Sequence, residues 1–319
     1  MSVSKLVKMV KFNNGHVYPS LGLGTWQATA TVDESGQQAV YEAVKSAIDI
    51  GYRHIDGAYI YNNEKAVGRA IKDKIKEGAI TRDDMYITSK LWNDKHEPEL
   101  VQTTLKDTLK DLGLDHVDLY LIHWPFSQIK DSDDNLVGID IPITETWKAM
   151  EGCVKAGLTK SIGLSNFNIR QVKAILEVAT IKPVVNQVES HPYLTQKKLK
   201  EFCDKNDIRL TAYGPLGSPK RSWADQDELA VLEEPVVKKI AENHKKTAAQ
   251  ILIKFQLQRG LLVIPKSANP ERQKLNMDVW DFELSEDEIK ELEFLDKNIR
   301  YFPFISAKDL KEYPFHEEA

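Results

Sequence analysis

The chain has 319 residues, 42% hydrophobic and 29% charged, with 43 basic against 48 acidic side chains for a formal charge of −5. No uninterrupted apolar run approaches the roughly 20 residues of a membrane span, so a soluble protein with no membrane partner is expected. The charges are interspersed, not blocked, which excludes a nucleic-acid stripe.

The opening stretch MSVSKLVKMVKFNNG has neither an apolar h-region nor a small-residue cleavage site, so no secretory signal is expected and the cytoplasm is the expected location. Residues 7–18 alternate apolar and polar side chains around Asn13-Asn14-Gly15, the pattern of an N-terminal β-hairpin with a tight turn, placed to plug the bottom of the fold made by the rest of the chain. From Leu21 onward come eight short apolar runs: LGLGTW, YRHIDGA, MYITSKLW, VDLYLIHW, TKSIGLSNF, VVNQVES, RLTAYGPL and LLVIPKS. Between them lie segments of helical periodicity, among them GQQAVYEAVKSAIDI, EPELVQTTLKDTLKDLG and AAQILIKFQLQRG. Eight strand–helix repeats with no antiparallel hairpin after the first predict an α/β chain closed into a (β/α)8 TIM barrel, not an open sheet. No proline- or serine-rich linker interrupts them, so residues 1–319 are expected to form a single domain.

Two long connections are candidate lids: SPKRSWADQDELAVLEE after the seventh run, and residues 125–142 after the fourth. The aromatic, irregular tail 298–319 is expected to cross the barrel mouth. Cys153 and Cys203 sit in helical patterns. Two cysteines make neither a disulfide framework nor a four-ligand zinc site, so buried free thiols and no metal are expected.

Chemistry-bearing side chains fall at the ends of the runs. Asp56 closes YRHID, Lys90 closes MYITSK and His123 closes DLYLIH, at separations of 34 and 33 residues, one strand–helix unit each. In a TIM barrel such ends share one rim. Tyr61 lies five residues after Asp56. A phenol is a weak acid at neutral pH, so an ammonium beside it, Lys90, is expected to lower its pKa, with Asp56 holding the lysine and His123 orienting a substrate oxygen. Ser165, Asn166, Gln187 and Tyr213 close later strands and offer amide-type partners and a flat ring to a carboxamide-bearing aromatic. Lys266, Ser267 and Asn269 precede a helix begun by Pro270, with Arg272 in its first turn, a setting suited to phosphate. Gly22 and Gly24 begin a G-x-G-x-x-G pattern that Gln27 breaks, and are read as a close-packed strand end.

GYRHIDGAYIYNNE, ITSKLW, LIHWP, IGLSNF, NQVESHPY, TAYGPLGSP and IPKSANPER, in this order and spacing, resemble the signatures of the aldo-keto reductases, and the resemblance runs from Pro19 to the terminal YPFHEE. It implies NADPH-dependent (NADPH/NADP+) reduction of a small-molecule carbonyl on a barrel, with Asp56, Tyr61, Lys90 and His123 as the catalytic tetrad. Cofactor contacts are implied at Thr25, Trp26, Ser165, Asn166, Gln187, Tyr213, Leu216, Ser218, Lys266, Ser267, Asn269, Arg272 and Asn276. A monomer is expected. In the mammalian aldose reductase branch, an aspartate follows GSP and bridges to the strand-eight lysine. Lys220 stands there instead, and Leu275 replaces a glutamate near the adenine. Trp26, Ile60, Tyr61, Trp92, His123, Trp124, Trp223, Phe302 and Phe304 are expected to line the substrate pocket, which suits an apolar or aromatic carbonyl such as a xenobiotic aldehyde or a steroid or ecdysteroid ketone, with an aldose also open. The alternatives are a catalytically silent nucleotide-binding member of the same fold and an NAD-linked sugar dehydrogenase.

Overall fold

The structure, a computed structural model, describes residues 7–26, 33–133, 135–219, 221, 223–224, 228 and 230–317. Its first elements are β1 (Met9–Lys11) and β2 (Val17–Pro19), paired antiparallel with Met9 opposite Pro19. Phe12 and Tyr18 of this hairpin pack on Leu119, Leu121, Val184, Val185 and Leu262, filling the N-terminal end of the barrel with apolar rings. Asn13 and Asn14 fasten the turn, donating to the carbonyls of Pro183 and Asp207 and to the Ser161 hydroxyl, each at 2.9 Å.

The remaining strands are β3 (Leu23–Gly24), β4 (His54–Asp56), β5 (Tyr86–Leu91), β6 (Val117–Ile122), β7 (Ser127–Lys130), β8 (Leu136–Ile139), β9 (Thr159–Ser165), β10 (Val185–Glu189), β11 (Arg209–Tyr213) and β12 (Leu262–Val263). Eight of them form one sheet in the order β3-β4-β5-β6-β9-β10-β11-β12, every pair parallel. Parallel bridges Leu21–Val263 and Gly24–Lys266 join its two ends, so the sheet closes into the (β/α)8 barrel that the eight runs predicted. The Val263 amide donates to the Ser20 carbonyl at 2.8 Å and the Gly22 amide to the Val263 carbonyl at 2.9 Å, which satisfies the edges.

One expectation fails. The segment after the fourth barrel strand is not a loop: β7 and β8 form a second antiparallel hairpin, Ser127 opposite Ile139. The Asp131 carboxylate accepts the Asp133 and Asn135 amides, each at 2.9 Å, an Asx turn that caps the tip without glycine or proline. A Cβ on Gly138 would stand 2.4 Å from Leu310 Cδ2, so the missing side chain lets the C-terminal tail lie against this hairpin.

The helices are α1 (Glu34–Ile50), α2 (Glu64–Lys76), α3 (Pro98–Leu112), α4 (Ile143–Lys155), α5 (Ile169–Val178), α6 (Lys197–Lys205), α7 (Pro235–His244), α8 (Ala248–Gln258), α9 (Pro270–Met277) and α10 (Glu286–Glu293). In α1, Asp33 caps the first turn by accepting from the Gly36 amide, and Val40, Ala43, Val44, Ala47 and Ile48 recur at three and four residues as the buried stripe. These stripes and the outward faces of the strands make the main core. α2 and α3 approach closely: a Cβ on Gly68 would lie 2.1 Å from the Leu112 carbonyl oxygen. Cys153 and Cys203 are buried in α4 and α6, and burial pushes each thiol up to about 12, so both stay protonated and unreactive.

Candidate active site

The C-terminal ends of β4, β5 and β10 are bolted together by one buried carboxylate. Lys90 Nζ, fully buried, donates to Asp56 Oδ1 at 2.5 Å and to the Gly57 carbonyl at 2.8 Å. Asp56 Oδ2 accepts from Gln187 Nε2 at 2.8 Å. An ammonium away from water is tolerable only when paired in this way. Burial still pushes the Lys90 ammonium below its ordinary pKa, against the pull of Asp56.

Tyr61 ends a short 3₁₀ turn, Tyr59–Tyr61, that comes after β4, and its ring centroid is 5.2 Å from Lys90 Nζ. The expected lowering of the phenol by the lysine is outweighed. Burial, then Asp56, then Tyr213 push Tyr61 well above the ordinary range, so it holds its proton throughout physiological pH. The His123 ring sits edge-on to Tyr61 at 5.7 Å and to Trp92 at 5.0 Å. Burial, with Lys90 and His96 nearby, pushes this imidazole well below 6.5, so it is neutral. A neutral imidazole offers one N–H to a substrate oxygen.

Beyond these four residues, Asn166 holds a left-handed backbone (φ 63) just after β9. Its amide nitrogen donates to the His123 carbonyl at 3.0 Å, and its oxygen accepts from the Tyr213 hydroxyl at 2.8 Å. The Ser165 hydroxyl donates to the Gln187 carbonyl at 2.9 Å. After β12, Asn269 caps α9 by accepting from the Arg272 amide at 3.0 Å, while the Ser267 hydroxyl bonds the Asn269 carbonyl at 3.1 Å. Lys266 and Arg272 flank that helix start, where their positive charges and the helix dipole favour an anion.

A cavity of about 1360 Å³ connects these parts. Its lining includes every residue the sequence nominated except the fully buried Lys90, among them Thr25, Trp26, Leu216, Ser218, Asn276, Ile60, Trp92, Trp124, Trp223, Phe302 and Phe304. Lys220 and Gln27 lie outside the described residues, as do residues 222, 225–227 and 229 of the expected lid. Leu275 lines the cavity and Asn276 beside it is buried.

The aromatic residues form two walls. Trp26, Trp223 and Tyr213 surround Phe302 at 5.4, 5.8 and 5.6 Å. In the second, Trp92 and Trp124 meet Phe304 at 6.1 and 5.0 Å. Both phenylalanines come from the tail, two residues apart, and Phe304 takes a left-handed φ of 48°. The sequence reading missed Glu189 and Arg221, which tie this tail down. Glu189 lies two positions beyond Gln187 on β10 and so shares its face, a signal that period-two counting would have caught.

The chain matches the Aldo/keto reductase family over residues 20–297. It is 46% identical over 319 residues to aldo-keto reductase family 1 member C1 of Macaca fuscata fuscata, covering 97% of this chain and 98% of that protein. The figures are 45% for prostaglandin F synthase 2 of Bos taurus and 46% for estradiol 17 beta-dehydrogenase 5 of Mus musculus, each with 97% and 98% covered. This chain is an aldo/keto reductase. As such it is an oxidoreductase for small-molecule carbonyl compounds, in a family that generally depends on NAD(P)H. Among the described residues of this reductase, no helix is long and apolar enough to cross a membrane.

Proposed function

We propose that the protein reduces an apolar or aromatic aldehyde or ketone to the alcohol with NADPH, and that Tyr61 is the general acid. The observation that carries this is convergence within one cavity. A protonated Tyr61 and a neutral His123, backed by the buried Asp56–Lys90 pair, share one cavity with a helix start whose Lys266, Ser267 and Arg272 suit an anion. The donors fit a reduced nicotinamide nucleotide. Ser165, Asn166 and Gln187 suit its carboxamide, Tyr213 gives a flat surface, and the α9 start with Lys266, Ser267, Asn269 and Arg272 suits a 2′-phosphate, with Thr25, Trp26, Leu216, Ser218 and Asn276 along the remaining wall.

When bound, the nucleotide supplies the hydride. The protein does the rest. His123 donates to the carbonyl oxygen and aligns it. Tyr61 gives its proton to that oxygen as negative charge develops, because an alkoxide is far more basic than a phenolate. Lys90 stabilises the phenolate left behind, and Asp56 keeps the lysine charged and in place. The aromatic walls exclude water and favour apolar substrates. Relatives whose names refer to prostaglandin F and estradiol support a bulky, ring-containing carbonyl compound. The proposal includes a cytoplasmic monomer of 36.3 kDa, which size-exclusion chromatography checks.

The test is NADPH consumption with an aromatic aldehyde, wild type against Tyr61→Phe. Loss of about 10²- to 10⁴-fold in kcat is expected. Equal rates would remove Tyr61 from its role, and no turnover by wild type with any of a panel of carbonyls and both nucleotides would overturn the proposal.

A further inference from the structure

Glu189 ends β10 with no exposed surface, and its carboxylate has partners on a segment more than 100 positions away. Oε1 accepts the Tyr301 amide at 2.7 Å and Oε2 the Phe302 amide at 3.1 Å. Oε1 also meets His191 Nε2 at 2.9 Å. Around this clamp, the Tyr301 ring stacks on His191 at 4.6 Å and carries the Arg221 guanidinium 4.2 Å from its centroid. The Tyr301 carbonyl accepts from Trp223 Nε1 at 2.8 Å. Tyr213, the neighbour of Glu189 across the β10–β11 register, meets the Phe302 ring at 5.6 Å.

We infer that Glu189 is a positioning residue for substrate selection: its buried carboxylate pins the Tyr301 and Phe302 backbone to the barrel and thereby fixes the width of the slot between the Phe302 wall and the Phe304 wall. A carboxylate suits the task because it accepts on both oxygens at once. A glutamine in its place has one accepting oxygen, and its NH2 group faces the second amide instead of receiving it. Only a substrate long enough to touch both walls senses the difference. The inference rests on the proposed carbonyl reduction at this site, and it adds the residue that sets which carbonyl compounds fit.

The experiment compares Glu189→Gln with wild type on benzaldehyde and on an apolar four-ring ketone, with NADPH. For the variant, KM for the four-ring ketone is expected to rise at least fivefold, while kcat and KM for benzaldehyde stay within twofold. Equal changes for both substrates, or none for either, would overturn the role. Hydrogen exchange on the wild-type protein supplies a readout independent of how the variant folds. The Tyr301 and Phe302 amides should exchange at least tenfold more slowly than those of Ile305 and Ser306, and comparable rates sink the clamp. If wild type reduces neither compound, the proposed function fails; if it reduces both and the substrate split is absent, only the clamp does.

Discussion

Replacing Lys90 by methionine tests the buried pair at the heart of the site. Met has nearly the same length and no charge, so the change removes the 2.5 Å contact and leaves Asp56 with Gln187 Nε2 at 2.8 Å as its remaining side-chain donor. Removing one partner of a buried ion pair costs about 3–5 kcal/mol, because the orphaned charge keeps its desolvation penalty. For 319 residues at about 2.1 cal/mol/K each, the unfolding entropy is about 0.7 kcal/mol/K, so Tm should fall by about 4–7 °C. The double variant Asp56→Asn/Lys90→Met removes both charges and keeps an acceptor for Gln187, so it should regain most of the loss. Urea denaturation and calorimetry on wild type, both single variants and the double give the coupling energy. A Lys90→Met protein within 1 kcal/mol of wild type, or a double variant no more stable than that single, refutes the desolvation argument. Turnover separates from stability here: the double variant recovers its fold and stays inactive, because the phenolate has lost its cation.

Arg272→Ala removes a charge-assisted contact worth about 1.5–3 kcal/mol, so the Kd for NADPH should rise about 10- to 100-fold while that for NADH is unchanged, measured by quenching of tryptophan fluorescence. An equal loss for both nucleotides would show that Arg272 does not read the 2′-phosphate. Burial lowers His54 to about 4 and His96 to about 3, both below the 6.5 of the unfolded chain. The unfolded state therefore binds protons first, and stability present above pH 6.5 is lost as pH falls toward 4, at about 1.4 kcal/mol per unit for each histidine. Urea midpoints at pH 7, 6, 5 and 4.5 check the sign, and a flat profile refutes it. Gly68→Ala puts a methyl 2.1 Å from the Leu112 carbonyl oxygen, so α2 and α3 must part, at a cost of about 1–3 kcal/mol. An unchanged urea midpoint would mean that the two helices slide apart freely.

The barrel was legible because parallel strands are buried on both faces and read as continuous apolar runs. The shared rim of Asp56, Lys90 and His123 was legible because strand ends recur once per unit, which put these three together before any contact was known. The β7–β8 hairpin was not. Its strands SQIK and LVGI are four residues each, with buried side chains only at Ser127 and Gln128, and the Asx turn at Asp131 closes it without the glycine or proline that marks a turn. The direction of the Tyr61 shift was equally hidden, since sequence names the lysine beside a phenol but not the depth at which both are buried. The face of Glu189 could be read from its place two residues beyond Gln187, but its partners could not: Tyr301 and Phe302 lie 112 and 113 positions away, on a tail with no periodicity to read.

The two halves of the cavity are therefore specified by different physics. The proposed proton transfer needs groups held to fractions of an ångström, and Asp56, Lys90, Asn166 and Gln187 are fixed because each is bonded between strand ends of one closed sheet. On the proposed reading, substrate choice rests instead on Phe302 and Phe304, whose rings join different aromatic clusters, Phe302 with Trp223 and Phe304 with Trp124, with a left-handed backbone at Phe304. A non-glycine residue in that conformation persists only where its surroundings hold it. Here they are the Phe304 ring packed among Trp124, Phe126 and Trp92, and the Ala307 amide donating to the Phe304 carbonyl at 2.9 Å. Changes in the tail should thus alter which carbonyl compound is accepted while leaving the acid, its lysine and the nucleotide groove in place, a separation that comes from where each group is anchored.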